Sequence, residues 1–138
     1  MPKQNDKNID RIIDANFNRA KEGIRVCEDV CRFILDAKRL TRSYKDARHE
    51  LTDIISSLTI TKIIRSREIA KDVGRKSTAV EFKRREIKDI FYANSQRAKE
   101  SIRVLEEFTK LKDKGLAEGL KKLRYKIYAL EKKVTKQC

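Results

Sequence analysis

Apolar residues recur along residues 9–35 at helical spacing. Ile9, Ile12, Ile13, Phe17, Ala20, Ile24, Cys27, Cys31 and Ile34 fall within one stripe about 100° wide. Asn5 or Asp6 stands where it can cap the start. The pattern predicts a second helix from about Leu40 to Leu58, with Leu40, Tyr44, Ala47, Leu51, Ile54, Ile55 and Leu58 on one face. Residues 59–77 are less regular and read as a short helix through Ile63 and Ile64, then a loop containing Asp72-Val73-Gly74. Ser77 or Thr78 is placed to cap a long helix running to about Leu111. Lys112-Asp113-Lys114-Gly115 reads as a turn, and Leu116, Leu120, Leu123, Ile127, Leu130 and Val134 mark a last helix. The expected fold is all-α.

The chain also repeats itself. Ala15–Asp29 reads ANFNRAKEGIRVCED and Ala93–Glu107 reads ANSQRAKESIRVLEE, with 10 of 15 positions identical at an offset of 78. The helices that follow match more weakly at an offset of 76, through Leu40/Leu116, Arg48/Arg124, Leu51/Ile127, Ile54/Leu130 and Leu58/Val134. This predicts a bundle of two duplicated helix hairpins, with a short connecting helix and loop, in one domain over residues 1–138. The repeat units span about 8–58 and 79–136, and the linker 59–78.

Four of the identical pairs are apolar, which packing explains. Six are polar: Asn16/Asn94, Arg19/Arg97, Lys21/Lys99, Glu22/Glu100, Arg25/Arg103 and Glu28/Glu106. Solvated positions drift, because surface substitutions are close to neutral. Ion pairing within one helix is the bland explanation, but each such pair contributes only ~0.2–0.5 kcal/mol. A ligand or a buried polar seam is the stronger one. Asn16, Arg19 and Gly23 span about 60° of helix beside the apolar stripe, and Asn94, Arg97 and Ser101 do the same. Gly23 costs ~1 kcal/mol against Ala in mid-helix, which points to close approach by another helix or by a ligand. Lys21 and Lys99 lie on the far side, where little effect is expected.

Composition narrows the chemistry. The 138 residues hold 4 Gly and 1 Pro, too few for glycine-rich nucleotide loops or for a β-sandwich. Three cysteines do not make a disulfide framework, and Cys27 and Cys31 read as small buried residues. One histidine, His49, excludes a histidine pair. No apolar run is long enough to span a membrane and the N-terminus lacks a signal-peptide pattern, so the expected location is cytoplasmic. The formal charge is +14, concentrated in 62–85 (9 basic, 3 acidic) and 110–138 (10 basic, 3 acidic). Such a field attracts nucleic acid or small phosphorylated ligands.

The doubled AN-x-x-RAKE-x-IRV-x-E-[DE] element, with Arg48-His49-Glu50-Leu51 and Asp72-Val73-Gly74 between its copies, resembles a small family of bacterial hydroxymethylpyrimidine-phosphate kinases. The resemblance runs from about Ile9 to Val134. Members occur alone or fused ahead of thiamine-phosphate synthase, and the end at Cys138 implies the stand-alone form. The implied reaction transfers the ATP γ-phosphoryl group to 4-amino-5-hydroxymethyl-2-methylpyrimidine phosphate. Its acceptor is a phosphate oxygen, already ionised, so positioning and charge neutralisation outweigh base catalysis. On this reading the catalytic candidates are Arg19, Arg97, Arg25 and Arg103, binding phosphates or bracing acidic residues. Asn16 and Asn94 are candidates to read an aminopyrimidine edge. Glu22, Glu28, Glu100 and Glu106 are candidates either for Mg²⁺ or for salt bridges. Gly74, Arg75, Lys76 and Ser77 offer an anion site ahead of a helix, and Arg48 and Arg124 are secondary substrate-binding candidates.

The expected ligands are therefore ATP, Mg²⁺ and a small phosphorylated pyrimidine, with no nucleic acid and no membrane. A basic helical nucleic-acid-binding module is the rival class, weakened by poor aromatic interleaving. A homo-oligomeric interaction module, with the repeat as its seam, is the third.

Overall fold

The computed structural model describes residues 3–58, 64, 66–68, 70 and 85–137. Among the described residues the protein is an all-α bundle of four long helices: α1 (Lys3–Asp29), α2 (Lys38–Ser56), α3 (Ile87–Thr109) and α4 (Lys114–Thr135). Helices α1 and α2 form one hairpin, α3 and α4 the other. The predicted short helix through Ile63 and Ile64, the Asp72-Val73-Gly74 loop and the Ser77/Thr78 cap lie largely or wholly outside the described residues. No helix among the described residues is long and apolar enough to cross a membrane.

Helix α1 already starts at Lys3, so Asn5 and Asp6 lie inside it and do not cap it. Other boundaries differ from the periodic pattern too. The first helix does not run uniformly to residue 35. Its last turn, Val30–Ile34, widens into a π-turn, with Leu35 N–H donating to the Val30 carbonyl at 3.1 Å. Asp36 then takes φ 49°, and the Ala37 N–H closes on the Cys31 carbonyl at 2.9 Å. An aspartate tolerates this left-handed conformation better than most side chains do. The wide turn keeps Val30 and Cys31 buried and turns Phe33 and Ile34 outward. The second difference is that α3 begins at Ile87. Glu86 caps it, and Asp89 returns a bond to the Glu86 N–H at 3.1 Å. Arg85 stays outside the helix, whose positive N-terminal end disfavours it. At α4, Asp113 accepts from Leu116 N–H at 3.0 Å, so the helix starts within the predicted turn.

The repeat helices α1 and α3 pack most extensively against each other. They run antiparallel. The Cys27 thiol meets the Phe91 carbonyl, Gly23 faces Asn94 and Ala98, and Asp10 pairs with Lys112 at 3.1 Å. Partner numbers rise on one helix as they fall on the other. Identical segments in that register are related by a pseudo-twofold axis perpendicular to the pair. The core lies between this pair and α2/α4, built on Ile13, Ile24, Tyr44, Leu51, Phe91 and Ile102 among others.

The close approach at Gly23 is made by a helix. A Cβ there would stand 2.7 Å from the Asn94 carbonyl oxygen, and both atoms are held by helical backbone. Gly119, in α4, is different, since its Cβ would only touch the Ile54 side chain at 3.4 Å. Gly23→Ala is therefore expected to destabilise by about 1–2 kcal/mol, overpacking outweighing helix propensity. Gly119→Ala is expected to stabilise by about 0.5–1 kcal/mol. Urea melts of the two variants check the contrast, and a shift of the same sign in both would remove the close contact.

Cys27 and Cys31 are buried in the core. Burial, reinforced by the neighbouring Cys31, pushes the Cys27 thiol far above its ordinary value. At a pH where an unfolded thiol ionises, the folded chain still holds that proton, so stability falls as pH rises past about 8.5. A Cys138→Ser variant is expected to stay unlabelled by an aromatic disulfide reagent at pH 8 until denaturant is added. Rapid native labelling would contradict it.

Candidate functional site

Helix α1 carries its polar residues on the flanks of the apolar stripe, and two concave surfaces form along them. The larger is an open groove of about 780 Å³ beside the N-terminal two-thirds of α1. Asn16, Arg19 and Glu22 line it, as do Asp14, Arg67 and Glu68. Arg67 comes from outside the repeat. It grips Asp14 with two bonds, 2.6 and 2.9 Å, and this contact holds the guanidinium even more firmly in its charged form. Asp14 is itself buried. Asn16 donates to the Ile12 carbonyl at 2.9 Å, one turn back, which leaves its side-chain oxygen free of that bond. Arg19 is exposed and has no ion-pair partner among the described residues. The groove therefore offers an unneutralised guanidinium beside an amide, with a clamped second guanidinium at its edge.

The second copy keeps these residue types in another setting. Asn94 donates to the Ile90 carbonyl at 2.8 Å, as Asn16 does to Ile12. Arg97 and Glu100 are exposed, and Glu100 accepts from Gln96 at 2.9 Å. Tyr92, at the place of Asp14, shares a hydrogen bond with Thr135 at 3.0 Å. No clamp like Asp14–Arg67 forms there among the described residues.

The other retained pairs sit in the hairpins. Glu28 is buried and accepts from Arg48 Nε at 2.9 Å across α1 and α2. Glu106 is buried and accepts from Arg124 across α3 and α4, through Nε and through Nη2, the latter at 3.1 Å. These are the same pair built twice. Of the two roles open for Glu28 and Glu106, the structure shows the salt bridge, and it occupies Arg48 and Arg124 as well. Arg25 and Arg103 lie exposed nearby, pairing along their own helices with Asp29 at 3.5 Å and Glu107 at 3.0 Å. Among the described residues, no three His, Cys, Asp or Glu side chains gather so as to hold a metal. Glu22 and Glu100 are exposed, and Glu28 and Glu106 are engaged by the arginines. Gly74, Arg75, Lys76 and Ser77 lie outside the described residues.

Lys99 departs from the expectation of little effect. It is buried, donates to Glu131 at 2.7 Å and stands 4.7 Å over the Tyr128 ring. Its twin Lys21 only leans over Phe17, 5.5 Å from the ring centroid. The reason lies in the partner helix, because the position matching Glu131 in the first hairpin is Ile55.

The ThiD2 family profile matches residues 11–133, almost the whole folded chain. The chain belongs to the ThiD2 family. It is 40% identical over 124 residues to a thiamine-phosphate synthase of Synechocystis sp., an alignment covering 89% of this chain and 35% of that protein. A thiamine-phosphate synthase of Nostoc punctiforme is 38% identical over 122 residues, 88% of this chain and 34% of the relative. One from Rhodopirellula baltica is 35% identical over 130 residues, 94% and 35% of the two chains. The chain spans about a third of the length of these relatives. No solved structure matches it significantly.

Within this ThiD2-family fold the two Glu–Arg pairs are stability elements. Side-chain exposure is 14% and 5% for Arg48 and Glu28, and 13% and 2% for Arg124 and Glu106. Arg48→Ala or Arg124→Ala is expected to cost about 2–4 kcal/mol, because each strands a buried carboxylate. Pairing Arg48→Met with Glu28→Gln is expected to recover most of the loss, and a double-mutant cycle in urea measures it. A cost under about 0.5 kcal/mol in either single variant would reassign the arginine to ligand binding.

Proposed function

We propose that the chain is a kinase that transfers the ATP γ-phosphoryl group to 4-amino-5-hydroxymethyl-2-methylpyrimidine phosphate, giving the diphosphate. The observation that carries this is the α1 groove, where unpaired Arg19 lies beside Asn16 and the clamped Arg67. Family membership and the thiamine-phosphate synthase relatives support the chemical class of the acceptor. An amide that both donates and accepts suits an aminopyrimidine edge, and a free guanidinium suits its phosphate.

The groove can support such a transfer without a general base. The attacking oxygen belongs to a phosphate and is already largely ionised near neutral pH. What remains is to hold two anions together against their repulsion and to neutralise the charge that shifts between them. Arg19 supplies a fixed positive charge, and Asp14 keeps Arg67 from swinging away. Mg²⁺ enters this reading with the nucleotide substrate, whose phosphates it bridges.

A coupled assay with ATP, Mg²⁺ and the pyrimidine monophosphate tests the proposal directly. Arg19→Ala is expected to lower kcat/KM by about 100-fold, the scale of losing one preorganised charge donor. Its stability should change by less than about 1 kcal/mol, because the side chain is exposed. Lys21→Ala is the control and should stay within about 3-fold. An equally large loss in Arg97→Ala would extend the chemistry to the second copy. Near-wild-type turnover in Arg19→Ala would remove the groove as the site.

A further inference from the structure

Each hairpin carries a basic cleft on its outer flank, and the two clefts are built from matching positions. In the first, of about 420 Å³, the cations are Arg25, Arg32, Lys38, Arg42, Lys45 and Arg48. In the second, of about 280 Å³, Arg103, Lys110, Lys114 and Lys121 stand at the places of Arg25, Arg32, Lys38 and Lys45. The duplication therefore made the same cleft twice.

The two clefts differ in what neutralises them. In the second, Glu107 takes both Arg103 and Lys110, each at 3.0 Å. Glu118 also stands where the first cleft has Arg42. In the first, Asp29 replaces Glu107, one methylene shorter, and pairs only with Arg25 at 3.5 Å. Arg48 is taken by Glu28. Arg32, Lys38, Arg42 and Lys45 have no ion pair among the described residues. Four cations without an ion pair around one concavity repel each other, and among the described residues only Arg32 of the four has a ring contact, over Phe33 at 4.8 Å. Their field favours an anion of several charges.

The place of this cleft matters as much as its charge. Glu22 closes the α1 groove at one end, and Arg25, three residues on, opens the cleft. At 1.5 Å per residue the two concavities follow each other along the same helix within about one turn. Resting on the phosphoryl-transfer reading above, we infer that the first-hairpin cleft binds the triphosphate of the nucleotide donor, while the neutralised second cleft does not.

Titration calorimetry with inorganic triphosphate at 150 mM salt tests the site apart from any reaction. Arg42→Glu gives the first cleft the carboxylate that Glu118 gives the second. It is expected to weaken triphosphate binding by at least 10-fold and to raise KM for ATP similarly, with the urea midpoint unchanged or raised as the repulsion is relieved. Lys122→Glu makes the same charge change on α4 outside both clefts and should shift binding by less than 3-fold. Equal weakening in both variants would show a diffuse field and overturn the site. So would an absence of triphosphate binding by the wild type, or a single-stranded oligonucleotide that binds more tightly and is equally disturbed by Arg42→Glu. Turnover with an unaltered KM for ATP in Arg42→Glu would overturn the site and leave the kinase reading standing. Cleft-dependent triphosphate binding without turnover of the pyrimidine monophosphate would do the reverse.

Discussion

The contact on which the rest of the structure depends is that between the backbones of α1 and α3, where Gly23 lies against the Asn94 carbonyl. Such an approach fixes the separation and register of the two helices more tightly than side-chain packing does. With an antiparallel register set there, the two copies are related by a pseudo-twofold axis. Both apolar stripes are then turned toward α2 and α4, and the core follows. The same constraint decides what is left outside. Positions flanking the crossing are left at its edge, Asn16 largely buried and Arg19 exposed, and both line the groove.

The polar residues kept in both copies divide by this geometry into two kinds. Glu28 and Glu106 are consumed by arginines of the partner helix, so their retention is explained by the cost of leaving a buried carboxylate unpaired. Asn16 and Asn94 use one amide proton on their own helix, a bond any exposed asparagine could make. Arg19 and Arg97 have no partner of either kind among the described residues. Packing and pairing therefore account for part of the repeat's polar signature and leave Arg19, Arg97 and the exposed Glu22 over. That remainder carries the functional argument.

Much of this was legible in the residues. The 3.6-residue pattern placed all four helices, and the offset of 78 placed their pairing, because both properties are periodic and local. The wide turn at Val30–Ile34 was not legible, since the apolar pattern continues through Ile34, which the turn leaves exposed while Val30 and Cys31 stay buried. The start of α3 was misplaced because Ser77 and Thr78 are better capping types than Glu86, while the capping box that Glu86 forms with Asp89 decides the matter. Of the site, Asn16, Arg19 and Glu22 were legible through the repeat. Arg67 was not. It pairs with a residue 53 positions away, and Asp14 has Tyr92 as its counterpart, so comparing the copies erases it. The choice between metal ligand and salt bridge at Glu28 and Glu106 depended on the rotation of α2 and α4, which an apolar stripe fixes only to within its own width.

The two halves have since diverged in complementary ways. The second hairpin gained a buried pair, Lys99–Glu131, a tyrosine in place of the clamp and carboxylates that neutralise its cleft. Each change adds internal contacts or removes repulsion. The first hairpin kept an Asp14 that reaches outside the repeat and a cleft whose cations oppose each other. Arg67, from outside the hairpin, offsets the first of these, while the repulsion in the cleft is left without a carboxylate like Glu118 to relieve it. A duplicated fold can tolerate that imbalance because the core is shared across the α1/α3 crossing. Stability gained in one half then supports strain in the other, with no need for each hairpin to stand alone.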